Sequence, residues 1–257
     1  MPEVRIEKQD VIAIVTLANP GKLNALNVAM WEALAQTFRK LSEDESLRCV
    51  IVRGDDGNFA AGADIDEFAT VRSTMAQGMR YHTETVGNAL RAIAECLHPT
   101  IAAVEGVCVG GGLEIACACD IRIAAPTARF GIPINRLGFP LAPGELQHLL
   151  HLVGKAAALE MLLEGRVFDA AEAKDKGLVN RIVDDVPGEA RQTALRIAQG
   201  APLAARMNKK LVRRLAPQPE ALSEEELLDA FSFFATQDYR EGVQTFLSKR
   251  KPVFSGK

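Results

Sequence analysis

No stretch of this 257-residue chain approaches the roughly 20 consecutive apolar residues needed to span a bilayer. The opening Met1-Pro-Glu-Val-Arg-Ile-Glu-Lys8 also lacks the apolar core of a secretory leader, so a cytoplasmic location with no membrane partner is expected. Cysteine is scarce. Cys49, Cys96, Cys108, Cys117 and Cys119 form no paired metal spacing, and an odd count favours reduced thiols, with Cys117 and Cys119 read as packing residues. An excess of positive charge is missing too: 30 Lys and Arg against 33 Asp and Glu give a formal net charge of −3, which argues against nucleic acid as the main partner. There is no low-complexity linker and no sequence repeat. His148 and His151 can share one helical face, but no third ligand accompanies them, so no metal is expected.

What the chain has is apolar residues, 48% of the total, enough for a substantial core. The β-rich stretches 4–8 and 11–17, separated by Gln9-Asp10, predict an opening hairpin that ends at Asn19-Pro20-Gly21. Asn27 is placed to cap a helix carrying Met30, Leu34, Phe38 and Leu41, and residues 49–53 read as a short buried strand. Residues 54–63 form a loop, Asp64 can cap the segment after it, and a helix is predicted over about 83–97, stopped by His98-Pro99. Strand 100–105, helix 112–119 and strand 120–125 continue the alternation, so the first half is α/β. Beyond Ala128 helices dominate, with a strand pattern only at 178–183. The predicted helices start at Pro143 and cover 155–163, 170–176, 188–199, 202–215 and 219–237. Phe231, Phe233, Phe234 and Phe246 put apolar surface near the C-terminus, for core or for a subunit contact. Residues 1–190 are read as the α/β core and 191–257 as a C-terminal helical subdomain.

The segment Val104-Glu-Gly-Val-Cys-Val-Gly-Gly-Gly-Leu-Glu-Ile-Ala-Cys-Ala-Cys-Asp120 carries the chemistry. An apolar strand pattern meets Gly110, Gly111 and Gly112, and a helix pattern comes next, with Glu114 one turn inside. Glycine lets a backbone approach a ligand closely, and the first amides of a helix have no intrahelical partner, so this turn can seat an anion or a developing oxyanion. Phosphate readings fail. A P-loop would need its lysine, and a dinucleotide fingerprint from Gly110 would need glycine where Ile115 stands. A second loop, Asn58-Phe-Ala-Ala-Gly-Ala-Asp-Ile65, has the same makeup, and the pair could aim two amides at one oxygen.

These two loops, about forty residues apart, resemble the paired signatures of the enoyl-CoA hydratase/isomerase (crotonase) family. The resemblance extends to Pro20-Gly-Lys-Leu-Asn-Ala-Leu26, Ala170-Ala-Glu-Ala-Lys-Asp-Lys-Gly-Leu-Val179 and Phe246-Leu-Ser-Lys-Arg-Lys-Pro-Val-Phe254. It implies an α/β fold, a crotonase-like spiral of β-β-α units with a C-terminal helical trimerisation region, assembled as a homotrimer or homohexamer. It implies an acyl-CoA substrate and no separate cofactor, since CoA is part of that substrate. The amides of Ala63 and Gly111 would form an oxyanion hole for the thioester enolate, each donor worth about 3 to 4 kcal/mol. Glu114 matches one of the two acid/base glutamates of the family's hydratases, and its helix start and apolar neighbours Leu113, Ile115 and Ala116 suit a tuned carboxyl.

The second glutamate is where the chain departs from the family. In Phe130-Gly-Ile-Pro-Ile-Asn-Arg-Leu-Gly138, Ile134 occupies that position and Gly138 closes the pocket segment. Phe139-Pro-Leu-Ala-Pro-Gly144 replaces the usual glycine-rich turn, and Ala142 stands where some isomerases and dehalogenases keep an aspartate. Glu145 is the nearest replacement carboxylate, but an acid just after Pro143 suits the first turn of a helix, and that structural role weighs more. Asn135 could orient water. For CoA, the resemblance points to Lys22, Leu23, Ala61, Asp64 and Ile65, and to Lys249 for the nucleotide's 3′-phosphate. The leading function is hydration or dehydration of a 2-enoyl-CoA with Glu114 as acid/base. Isomerisation, or another enolate reaction such as decarboxylation, is the alternative, and a non-catalytic acyl-CoA-binding subunit is a third.

Overall fold

In a computed structural model describing residues 1–217 and 220–257, the chain opens with β1 (Glu3–Gln9) and β2 (Ile12–Ala18), an antiparallel hairpin turned at Asp10. Helix α1 (Val28–Glu43) comes next, its N-terminus capped by Asn27, whose side chain accepts from the Met30 amide at 2.9 Å. After it lie β3 (Cys49–Gly54), a short helical turn (Ile65–Glu67), α2 (Phe68–Val71), α3 (Met75–Arg80), a π-helical turn (Tyr81–Val86) and α4 (Gly87–Ala94). The middle of the chain gives β4 (Thr100–Val104), β5 (Val107–Val109), α5 (Gly111–Ala118), β6 (Ile121–Ala124) and β7 (Arg129–Gly131). Another helical turn (Pro133–Leu137) leads to α6 (Pro143–Glu164), then β8 (Phe168–Asp169), α7 (Ala170–Asp175) and β9 (Arg181–Ile182). The remainder is α8 (Val186–Gln199), α9 (Pro202–Leu215), α10 (Glu224–Ala230), a helical turn (Ser232–Ala235) and α11 (Gln237–Leu247).

The main sheet has the order β1-β2-β3-β4-β6-β9, parallel throughout except for the hairpin. Its central strands read as unbroken apolar runs because both faces are covered. Ala13, Val15, Leu17, Val50, Val52, Ala102 and Val104 face one core, with α1, α4 and α5, while Ile12, Ile14, Cys49, Ile51, Ile101 and Ile123 face α8. A smaller sheet, β5-β7-β8, stands beside the first core. Among the described residues no helix is long and apolar enough to cross a membrane.

Several expectations need correction. The segment after Ala128 contains β7 and β8, three and two residues long, too short to show a period. The strand expected at 178–183 shrinks to β9. The helix expected from residue 83 begins at Met75. Gly78 there weakens helix propensity, yet a Cβ on it would lie 1.9 Å from the Phe234 ring, so tertiary packing requires the glycine. Of the helix expected at 219–237, Pro219 lies outside the described residues, 220–223 are not helical, and α10 starts at Glu224, where the Ser223 side chain accepts from the Glu226 amide, and breaks at Phe231. A straight helix could not turn Phe231, Phe233 and Phe234 inward together; the break brings the Phe233 and Phe234 rings to 4.3 Å between centroids, tilted by 30°, and α11 then runs on to Leu247. The two helices expected from Pro143 and over 155–163 are joined in α6 but separated by Gly154, at φ 72° and ψ 172°. The division expected after residue 190 falls inside α8, whose Val186, Ala190 and Ala194 pack together on the sheet. All five cysteines are free and buried, as packing residues would be.

Candidate active site

Two backbone segments are clamped against each other at one end of the first core. Asn24 donates to the carbonyls of Asp55 and Asn58, both at 2.8 Å, and Asn58 accepts from the Val107 amide at 3.1 Å. Ala60 then exchanges hydrogen bonds with β5: its amide donates to Val107, and its carbonyl accepts from Val109. On the other side, Leu26 and Ala63 form a bridge in which the Leu26 amide donates to Gly62 and the Asp64 amide to Leu26. This pattern uses the groups on either side of Ala63 and leaves its own N–H without an acceptor among the described residues. Gly110 turns the chain with φ 51°, and the Gly111 N–H, first of α5, likewise donates to none of them. A Cβ built on Gly111 would lie 3.5 Å from the Ala63 nitrogen, so the two free donors sit side by side. Gly112 is required by contact, since a Cβ there would fall 2.2 Å from the Ala60 carbonyl oxygen.

These amides border a cavity of about 290 Å³ lined largely by apolar side chains, among them Trp31, Phe68, Ile134, Phe139 and Leu141. Ionisable groups line it as well, Glu114, Glu145, His82 and Arg72 among them. Relative exposure is 7% for Glu114, 4% for Glu145, 7% for His82 and 1% for Arg72. Arg72 is wedged between aromatic faces, its guanidinium 4.1 Å from the Phe68 centroid and 4.4 Å from that of Phe139, while Nε and Nη2 have no hydrogen-bond partner among the described residues. His82 Nδ1 lies 2.6 Å from Glu145 Oε1, and Glu145 Oε2 accepts from the Ala142 amide at 3.4 Å. Burial raises the Glu114 carboxyl well above the usual range, with the charge of Glu145 adding to it and that of Arg72 opposing it. Burial also raises Glu145, against the pull of Arg72 and of the Ala142 amide. His82 is driven the other way, kept neutral by burial and by Arg72.

Ala61, Ala63, Ile65, Gly111, Glu114 and Ile134 all line this cavity. Gly138 does not. It ends a helical turn at φ 72°, packed so closely on α11 that a Cβ would meet the Asp238 carbonyl at 2.2 Å. Asn135 also points elsewhere, donating to the Leu163 carbonyl at 2.9 Å, so it is not placed to orient water there. Lys22 is held at the surface by Asp64 and Asp66, at 2.8 and 2.6 Å, Leu23 is exposed at φ 48°, and Lys249 is exposed near the C-terminus. Asp64 caps the short turn at Ile65–Glu67. Phe231 and Phe234 are core, while Phe246 is half exposed and reaches the cavity. No metal-holding cluster exists among the described residues. Sequence reasoning missed Arg72 and His82, and it favoured a purely structural Glu145. That residue does sit in the first turn of α6, but it faces the cavity.

Known proteins share this architecture. The family model for enoyl-CoA hydratase/isomerase matches residues 7–257. A probable enoyl-CoA hydratase of Mycobacterium bovis is 40% identical over 257 residues, covering 98% of this chain and 97% of the relative. The crystal structure of an enoyl-CoA hydratase/carnithine racemase from Magnetospirillum magneticum superposes with TM-score 0.82 at 46% identity, covering 100% of this chain and 97% of that one. A methylmalonyl-CoA decarboxylase in complex with 2-nitronate-propionyl-CoA superposes with TM-score 0.88 at 27% identity, covering 99% and 98%.

Proposed function

The chain belongs to the enoyl-CoA hydratase/isomerase family, and from that premise we propose that it is a lyase adding water to, or removing it from, a 2-enoyl-CoA. The observation that carries this reading is the pair of unpartnered amides, Ala63 and Gly111, beside a buried carboxyl in one apolar cavity. The amides hold the thioester oxygen as it gains charge, and each such donor contributes about 3 to 4 kcal/mol to the transition state. Glu114 exchanges a proton with C2, burial having raised its carboxyl well above the usual range. Ala61 and Ile65 on the cavity wall, Lys22, Leu23 and Asp64 beside it, and Lys249 near the C-terminus serve the CoA portion. Exposed Leu203, Met207, Leu211 and Leu215 lie four residues apart along α9, which has no buried residue, and this stripe supports assembly as a homotrimer or homohexamer.

The test tracks the absorbance of 2-enoyl-CoA substrates of several chain lengths. Hydration by the native protein should fall by about 10²–10⁴ in Glu114→Gln. Unchanged absorbance at every chain length with native protein would sink the reading. Ile134 in place of a second carboxylate, with the likeness to a decarboxylase, supports a second fate for the same enolate. Carbon dioxide release from a 2-carboxyacyl-CoA would select decarboxylation, and solvent deuterium uptake with a shifted double bond but no net hydration would select isomerisation.

A further inference from the structure

Hydration moves two protons: water loses one as its oxygen bonds to C3, and C2 gains one. The first requires a base, and at position 134 a buried isoleucine cannot act as one. The cavity contains a replacement. Glu145 enters it from the first turn of α6, shielded from solvent, with one carboxylate oxygen on His82 and the other on the Ala142 amide. His82 belongs to the π-helical turn at Tyr81–Val86, a local widening of the helix that occurs often at functional sites. Its Nε2 is buried without a partner, so among the described residues the bond to Glu145 is the single hydrogen bond of the ring. A buried histidine spent on aiming a carboxylate into a cavity is a positioning device.

We propose that Glu145, oriented by His82, is the base that activates water, and that Glu114 is the separate acid serving C2; this rests on the 2-enoyl-CoA reading. The Glu145 carboxylate removes a proton from water as the water oxygen bonds to C3. The C2–C3 π pair moves into the thioester, forming an enolate on the oxygen held by the Ala63 and Gly111 amides. The enolate then returns its electron pair to C2, which takes the proton of the Glu114 carboxylic acid, giving a 3-hydroxyacyl thioester. Glu145 ends protonated and Glu114 ionised, and proton exchange with solvent restores the starting state.

The surroundings separate the two roles. Two carboxylates in one apolar cavity cannot both ionise cheaply, and whichever shares more of the Arg72 charge carries the negative charge. Arg72 is the main charge opposing the burial of Glu145, whereas for Glu114 it ranks behind the repulsion from Glu145. Neutral His82 has one ring proton, and on Nδ1 it donates to Oε1, which favours the ionised form. The other ionisable groups facing the cavity are Tyr81 and Arg136.

The experiment compares hydration of 2-butenoyl-CoA with deuterium exchange at C2 of butanoyl-CoA, which needs Glu114 and the amides but no attacking water. In Glu145→Gln, which keeps an oxygen for the Ala142 amide, hydration should drop at least ~100-fold in kcat while exchange drops less than about ten-fold. Glu114→Gln should lose both. Hydration by Glu145→Gln within about threefold of native overturns this inference and leaves the 2-enoyl-CoA reading standing. Native protein that does neither reaction overturns both. His82→Leu removes the donor and should move the acidic limb of the kcat/KM pH profile upward, and His82→Asn, with an N–H near the same place, should restore it. These two variants decide the matter even where Glu145→Gln does not fold, because a limb unmoved by His82→Leu overturns the inference.

Discussion

Replacing Gly112 by alanine tests the clamp on which the candidate oxyanion hole depends. The new Cβ would stand 2.2 Å from the Ala60 carbonyl oxygen and 2.9 Å from its carbon and Cβ. A tolerable carbon–oxygen contact is about 3.3 Å, so α5 and the 60–63 loop must part by roughly 1 Å. That oxygen already accepts from the Val109 amide at 3.1 Å, and the bond is stretched as the loop moves. Overpacking of this kind costs about 1–3 kcal/mol and the weakened hydrogen bond about 1 more, giving a loss of about 2–4 kcal/mol. At about 2–4 °C per kcal/mol for a chain of this size, the melting temperature falls by roughly 4–16 °C. The same displacement carries the Ala63 amide away from Gly111, and an ångström of misplacement costs on the order of 100-fold in kcat. Gly144 is the control. A Cβ there meets nothing within 4 Å, so Gly144→Ala should raise stability by up to about 1 kcal/mol. Thermal melts of both variants, run with the 2-enoyl-CoA assay, check the reasoning, and a Gly112→Ala protein that melts with the native one and retains its turnover refutes it.

The buried carboxyls set a sign for pH dependence. Burial raises both carboxyls, Glu145 to about 8, so in the folded state they keep protons that the unfolded chain releases above 4.5; their contribution to stability is complete below 4.5 and is lost as pH rises, the base form of Glu145 filling toward 8. His82 acts in the opposite sense, its neutral folded form losing stability as pH falls through 6.5. Melting temperatures of Glu145→Gln across about pH 5 to 8 should therefore show a shallower decline with rising pH than the native protein, and an identical slope would remove Glu145 from the account. Lys249→Ala should weaken binding of CoA by about ten-fold but leave 3′-dephospho-CoA unaffected, measured by calorimetry, and an equal loss for both would detach Lys249 from the phosphate. Leu211→Glu places a charge in the exposed stripe of α9 and should shift sedimentation to the monomer. Unaltered sedimentation would put the subunit contact elsewhere.

The parts of the site that could be read from the sequence are those fixed by local backbone chemistry. Gly110 to Gly112 announce a turn into a helix because few other residues take such a φ or allow such an approach, and Glu114 lies beyond them at fixed spacing. The small residues from Ala60 to Ala63 are legible for the same reason. The strand pattern of β2, β3 and β4 was equally plain, since strands covered on both faces are apolar throughout. Arg72 and His82 gave no such signal. An arginine flanked by Val71 and Ser73 resembles any surface residue until Phe68, Phe139 and Tyr239 close over it, and the last two arrive from distant segments. Gly78 gave no signal either: nothing near it in sequence asks for glycine, and only the Phe234 ring, 1.9 Å from where a Cβ would stand, explains it. Glu145 was visible as a helix-start acid. Its second role depends on the direction in which α6 leaves the turn at Pro133–Leu137, and no local pattern encodes that direction.

The charge state of the cavity comes from these placements. With His82 neutral and Arg136 exposed to solvent, Arg72 contributes the buried positive charge, and the apolar lining, to which Ile134 adds, makes a second net charge of either sign costly. One ionised carboxylate beside Arg72 balances the cavity; two would leave it negative, and none would leave the guanidinium uncompensated. A carboxylate at position 134 would have added a third acid to this balance. With isoleucine at 134 and an acid at 145, two buried carboxyls face the cavity, the second supplied by α6. The enolate of the proposed reaction would be the exception, bringing a new negative charge that the unpartnered amides of Ala63 and Gly111 could receive without any side chain changing its protonation.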